Sequence, residues 1–414
     1  MKNKIKEIIL SNAYGIVIFL LLVIFMVSHP QRSLDVDCLC SFTIDYQTGF
    51  GGRKLIASVV GLFFKNINQG QILKLIYLIS ILGCLFFAFC CNLLINELKH
   101  RNREAHLSSI YLTTLYLACP ASMFFLLKFP NFGRLDLFLY LSSLLFCFLF
   151  YHRERNRIAY FIFVALLMIF DILSHHIFVV TYMPFFVALF IYDIWSKGFN
   201  HKLFIYYAII AVVVIATFLS IILFSSMNIS LDEATHYRPN VELSRKFVWF
   251  IYYAHISDHV QIYVLSNLRK LVAGFFLTIF FLLPLILLGW KVWQETLKGQ
   301  VKQTRNLFWA MQASFLLVIP AFFITVDYAR WFAALVFSQF LLIAYFSFDE
   351  HSLYSRIGET LGLLVKRHIF LAASLIVYCS LLGLFGSDRT FECGEFILDK
   401  LHIYKVVVQP PIGI

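Results

Sequence analysis

Charge is scarce in this chain: of 414 residues only 14% are Asp, Glu, Lys or Arg, while 61% are hydrophobic and 47 are Phe. Such a chain cannot cover its apolar surface in water, so a soluble domain is excluded and an all-α polytopic membrane protein is expected. Familiar phosphate and hydrolase motifs are missing too. The sequence holds no Walker-type loop, G-x-S-x-G elbow, dinucleotide fingerprint or His-Glu-x-x-His pair, which argues against soluble-nucleotide chemistry and a zincin centre. The first apolar run, 8–28, lacks a small-residue cleavage site and is expected to stay as a helix. Loop cysteines are few: Cys84, Cys90, Cys91, Cys119, Cys147 and Cys379 fall in apolar runs, leaving Cys38, Cys40 and Cys393 outside them. In an oxidising compartment Cys393 would be able to reach Cys38 or Cys40 and tie the tail over the first loop.

Net charge is +11, yet the basic residues are scattered through short loops and form no stripe, so nucleic acid is not an expected partner. Apolar segments of spanning length occur near 8–29, 72–95, 108–127, 135–151, 157–174, 177–195, 202–224, 271–290, 307–326, 331–348 and 368–386. About eleven transmembrane helices are therefore expected. With the N-terminus cytoplasmic, each short inner loop is basic, as in Lys99, Arg101 and Arg103 or Arg153, Arg155 and Arg157. Residues 1–386 then form one transmembrane domain, with outer loops 30–71 and 225–270 partly interfacial and a periplasmic tail at 387–414.

Under this topology the chemistry-bearing residues gather at the outer side. The first outer loop, SLDVDCLCSFTIDYQTGFGGRKL from Ser33, carries Asp35, Asp37 and Asp45, then three glycines in four positions before Arg53 and Lys54. Two carboxylates at i and i+2 on an extended segment point the same way and suit a divalent cation, or one ionised base beside a neighbour. The glycine run with Arg53 and Lys54 suits a phosphate. Residues 55–64 are too short to span and are amphipathic enough to lie on the interface. For each motif the plain alternative is a solvated loop.

Arg134 and Asp136 at the start of the fourth segment read either as a self-satisfied ion pair or as a phosphate fork with its neighbour. Asp327, Arg330 and Trp331 sit at one depth, with the aromatic available to stack on a sugar ring or to serve an interfacial belt. His175 and His176 follow Asp171. Adjacent histidines diverge, so proton handling or hydrogen bonding to an acceptor sugar is a better reading than metal ligation, and no metal ligand set is assigned. The long outer loop, with Arg238 and Arg245, suits a lid over an anionic or sugar ligand.

Together these features suit a substrate with a lipid tail and a polar head. Asp37 or Asp45 would take a proton from an acceptor hydroxyl attacking an anomeric carbon, while Arg53, Arg134 and Arg330 would hold the departing phosphate. In size, Phe-, Ile- and Lys-rich character, span number and arginine-bearing outer loop, the chain resembles the bacterial O-antigen (repeat-unit) polymerases. With Asp35-Val36-Asp37 in the first outer loop and a short amphipathic segment after it, the chain is also similar to GT-C glycosyltransferases, whose catalytic Asp lies there. The resemblance implies first a polymerase joining undecaprenyl-pyrophosphate-linked repeat units, with a GT-C-type transferase adding a single sugar from undecaprenyl phosphate as the alternative. Either would work at the periplasmic face of the inner membrane in contact with membrane lipid, and a polymerase would have a chain-length regulator as partner. No cofactor is expected beyond a divalent cation as an open alternative. A flippase for lipid-linked sugars is the rival of another class, although no internal repeat favours it.

Overall fold

The computed structural model describes residues 11–31, 34–64, 66–128, 131–324 and 328–382. Among them all regular elements are helical, apart from one isolated bridge between Ser196 and Gly198. A bilayer imposes this outcome, because a helix satisfies its own backbone groups where no water can. The protein is a helical, multi-pass membrane protein. Among the described residues seven helices are long and apolar enough to cross: Gln69–Arg101, Arg103–Leu127, Arg157–Ser174, His201–Phe224, Phe275–Leu297, Lys302–Phe323 and Tyr328–Phe348. An eighth forms if Ile357–Arg367 and Ile369–Leu382, which meet at a 99° bend, count as one span. Ala13–Ser28, Asp136–Tyr151 and Met183–Trp195 are apolar but shorter. The eleven expected segments thus divide into full-length, bent and short helices.

Local sequence sets several helix starts. Asn68, Asn102, Asn156 and Asn200 each accept a hydrogen bond from a first-turn backbone N–H, opening Gln69–Arg101, Arg103–Ala118, Arg157–Ser174 and His201–Phe224. The apolar run expected at 177–195 is interrupted: Phe178–Thr181 ends at Tyr182 before Met183–Trp195 begins, with Pro184 in its first turn.

Burial separates centre from periphery. The most apolar window is 72% buried in Arg103–Leu127 and 67% in Tyr328–Phe348, against 17% in Phe275–Leu297, so the first two form the heart of the bundle. Aromatic packing fills that heart. Tyr140 stacks on Phe337 with ring centroids 3.8 Å apart, and the Tyr116 hydroxyl donates to the Tyr140 hydroxyl at 3.0 Å.

Polar residues mark the two ends of the bundle. Asp136 opens the Asp136–Tyr151 helix and Arg153 follows its end, while Arg330 and Tyr345 stand near opposite ends of Tyr328–Phe348. Asp136 and Arg330 pair with each other, and Arg153 bonds the Tyr345 hydroxyl. Seventeen helical steps from Asp136 to Arg153 cover roughly 25 Å, close to the thickness of a hydrocarbon core of about 30 Å.

Candidate functional site

At the end of the bundle bearing Asp136, three ion pairs lie within one buried network. Asp37 Oδ1 accepts from Arg53 Nη1 at 2.6 Å, Asp35 Oδ2 from Arg134 Nη2 at 2.8 Å, and Asp136 Oδ2 from Arg330 Nη2 at 2.7 Å. Arg330 Nη2 also lies 3.0 Å from His175 Nε2. Asp136, Arg134, Arg330 and His175 are buried, whereas the Asp37 side chain keeps 16% of its surface open. Charges this deep persist only when paired or in contact with a ligand.

Short, strained connections hold these groups in place. Asp35 and Asp37 do not lie on an extended segment: Asp35 precedes the Val36–Thr43 helix and Asp37 sits in its first turn. The helical start sends the two carboxylates to different arginines, so they do not point the same way as they would on an extended segment. Among the described residues no group of three His, Cys, Asp or Glu side chains is placed to hold a metal. Arg53 occupies the left-handed region at φ 64°, an uncommon backbone state for a residue with a side chain. Its amide donates to the Leu173 carbonyl at 3.2 Å, anchoring the first loop to the end of Arg157–Ser174.

Gly133 places Arg134. Its φ of 85° favours glycine, and a Cβ there would meet Cys38 Sγ at 2.6 Å and Ile76 Cδ1 at 2.8 Å. Gly133→Ala is expected to destabilise the protein by about 1–3 kcal/mol and to pull Arg134 off Asp35, read as a lower unfolding temperature in detergent together with lost activity.

The glycine run plays a different part from the expected cradle. Gly49, at φ 125°, packs on the Ser226 carbonyl, and backbone bonds join Phe50 to Ser226 and Thr48 to Asn228, each at 2.8 Å. Lys54 is buried, donating from Nζ to the Gly49 carbonyl at 2.9 Å, and burial draws its ammonium down to about 8 against the opposing pull of Asp45. Only Gly52 faces the site, since a Cβ there would meet His176 Nδ1 at 2.7 Å. The Leu55–Phe63 helix buries Ile56, Ala57 and Val60 and leaves Leu62 80% and Phe63 75% exposed, as an interfacial helix would.

Asp45 and Arg238 stand together away from the three pairs. Arg238 Nη2 donates to Asp45 Oδ2 at 2.6 Å, and the Tyr237 hydroxyl donates to Asp45 Oδ1 at 2.8 Å. The Tyr252 hydroxyl adds a bond to the Cys40 carbonyl at 3.3 Å, so this outer segment clasps the first loop. Arg245 pairs with Asp232 at 2.8 Å on the open surface and belongs to no buried network. Asp171 is fully buried, but its Oδ1 accepts from Ser142 Oγ at 2.7 Å, while the link to His175 is backbone only. Cys38 and Cys40 are free and buried. Asp327 and Cys393, and with Cys393 the tail, lie outside the described residues.

Electrostatics keep the Asp37 carboxyl ionised. Burial pushes its carboxyl up, but Arg53, Arg134 and Arg330 together outweigh burial and hold it below its ordinary 3.8. Burial, reinforced by Arg53 and Arg330, holds the His175 imidazole well below its usual 6.5, so the ring is neutral. His175 Nδ1 and Trp331 Nε1 are buried without a hydrogen-bond partner among the described residues, two polar atoms that a ligand would satisfy. Neither unpaired atom has a signature in the sequence, since packing alone decides what each one meets.

A depressed histidine stabilises the fold fully above the unfolded value of 6.5, and that stability is lost as pH falls below it. Asp37 adds a second loss only below about 4. The unfolding temperature in detergent should therefore decline as pH falls below 6.5, and His175→Gln should remove that first decline.

The fold and the buried ionic network define a helical membrane protein with a polar site at one end of its bundle. No protein-family model matches the chain, and no characterised protein or solved structure is significantly similar to it.

Proposed function

We propose that the protein is a membrane glycosyltransferase that moves a single sugar from a polyprenyl monophosphate donor, with Asp37 as the base. The carrying observation is the three arginine–carboxylate pairs around Asp37. Asp37 takes the proton of the acceptor hydroxyl while the acceptor oxygen bonds to the anomeric carbon. The bond from that carbon to the phosphate oxygen breaks, and the lipid phosphate departs with the electron pair. Arg53, released from Asp37 by the incoming phosphate, and Arg134 neutralise the leaving group. Trp331 Nε1 and His175 Nδ1 supply hydrogen bonds to the sugar.

Charge balance favours the monophosphate. Among the described residues three arginines pair with three carboxylates, a balance that suits an anion of low charge better than a pyrophosphate. A repeat-unit polymerase at a periplasmic surface is the second reading. The exposed Arg245 and Phe247 on the outer segment favour it, as a platform for a long oligosaccharide.

The two readings separate in the length profile of the surface polysaccharide from cells with and without the gene. Loss of the gene shifts every rung by one sugar under the transferase reading and collapses the ladder to one repeat unit under the polymerase reading. An unchanged profile contradicts both.

A further inference from the structure

The far end of the bundle holds a second ionic cluster that the proposed chemistry does not use. Asp193, buried near the end of Met183–Trp195, accepts from Arg153 Nε at 2.7 Å, from Arg157 Nη1 at 3.1 Å and from the Tyr207 hydroxyl at 2.8 Å. This cluster floors a cavity of about 350 Å³ whose walls include Arg153, Arg157, Lys197, His201 and Lys202. Glu154 is the other carboxylate in the lining, and Arg157 binds it, so four Lys or Arg side chains face two carboxylates. The surplus charge is positive, and it sits on Lys197 and Lys202, which are exposed.

Three further features suit a phosphate with apolar chains attached. The 24-residue His201–Phe224 helix begins in the cavity wall, and Asn200 caps only the Leu203 amide, leaving its positive end toward the opening. Gly198, at φ 91° with open space around a Cβ, turns the chain between Lys197 and this helix. Phe199 lines the cavity and packs on Trp195 and Phe204 with ring centroids 5.2 and 5.6 Å apart, and these three rings stand 42%, 38% and 46% exposed, an apolar collar of the kind that meets headgroups.

We propose that this cup binds the phosphate group of an anionic phospholipid at the leaflet opposite the Asp37 site. A lipid phosphodiester and free phosphate share the recognised chemistry, while the collar favours the source that carries acyl chains. Occupancy would pin the 152–156 turn to the 196–200 turn. The inference stands apart from the glycosyl-transfer reading, since it uses neither Asp37 nor any residue near it.

The test uses the full chain purified in detergent and stripped of lipid, titrated separately with phosphatidylglycerol, phosphatidylcholine and inorganic phosphate. Bound lipid is counted by native mass spectrometry, and the unfolding temperature is followed alongside. Lys197→Glu with Lys202→Glu is compared with Lys302→Glu and Arg305→Glu, an equal charge change on exposed residues elsewhere. Wild type and the control should retain phosphatidylglycerol at least about tenfold more tightly than phosphatidylcholine, and the cup variant should lose that preference. Competition by inorganic phosphate would assign the phosphate group alone as the ligand, and its failure to compete would assign the lipid; either upholds the site. No preference in the wild type, or equal loss in both double variants, overturns it.

Discussion

Asp37→Asn is expected to slow sugar transfer by roughly 10²–10⁴-fold, the usual worth of a positioned base, while the protein stays folded. The Asp37–Arg53 pair is partly exposed, at 16% and 18% of the two side chains, and asparagine keeps a hydrogen-bond acceptor for the guanidinium. Loss of the charge should therefore cost less than the about 3–5 kcal/mol of breaking a fully buried pair. The informative comparison is Asp45→Asn. Asp45 sits in a clasp with Arg238 and Tyr237, so its replacement should loosen the outer segment and lower the unfolding temperature with a far smaller effect on the chemical step. Single-turnover rates for the two variants, measured with the unfolding temperature, separate base from clasp. A larger rate loss at Asp45 than at Asp37 would reassign the base.

Arg330→Met should have the largest effect on stability, about 3–5 kcal/mol, because it leaves Asp136 buried without its cation. The double variant Asp136→Leu with Arg330→Met removes both charges, and thermal unfolding should recover most of the loss while activity stays absent. Such a cycle distinguishes a pair kept for function from one kept for stability, since well-packed apolar replacements of a buried pair are often neutral or stabilising. Full recovery of both stability and turnover in the double variant would remove Arg330 and Asp136 from the site.

Much of the plan was legible in the sequence because it follows from single-residue chemistry. The apolar runs define helices, and the gathering of Asp35, Asp37, Arg53, Arg134, Asp136, His175 and Arg330 at one end follows from their places beside those runs. The pairing scheme was not legible, because the arginines come from separate places in the chain: Arg53 from a turn, Arg134 from the segment before Asp136–Tyr151 and Arg330 from Tyr328–Phe348. Arg53 meets Asp37 from a left-handed backbone, which no pattern of residues announces. Local periodicity also misled: Asp35-Val36-Asp37 suggested an extended segment, whereas the residues start a helix and diverge. The glycines at 49 and 51 resembled a phosphate cradle, yet they let the first loop approach Ser225 and Ser226 closely. Asp193 lies within PFFVALFIYDIW, where an acid in so apolar a helix demands a basic partner, and Arg153, together with Arg157 at the start of Arg157–Ser174, supplies it.

The most direct test of the account is turnover in proteoliposomes containing only the purified protein, an acceptor glycolipid and a polyprenyl monophosphate donor carrying a labelled sugar. The account predicts that label moves to the acceptor with one free polyprenyl phosphate released per sugar, and that Asp37→Asn stops both. Label that crosses the bilayer while still joined to its lipid, with no polyprenyl phosphate released, would contradict it.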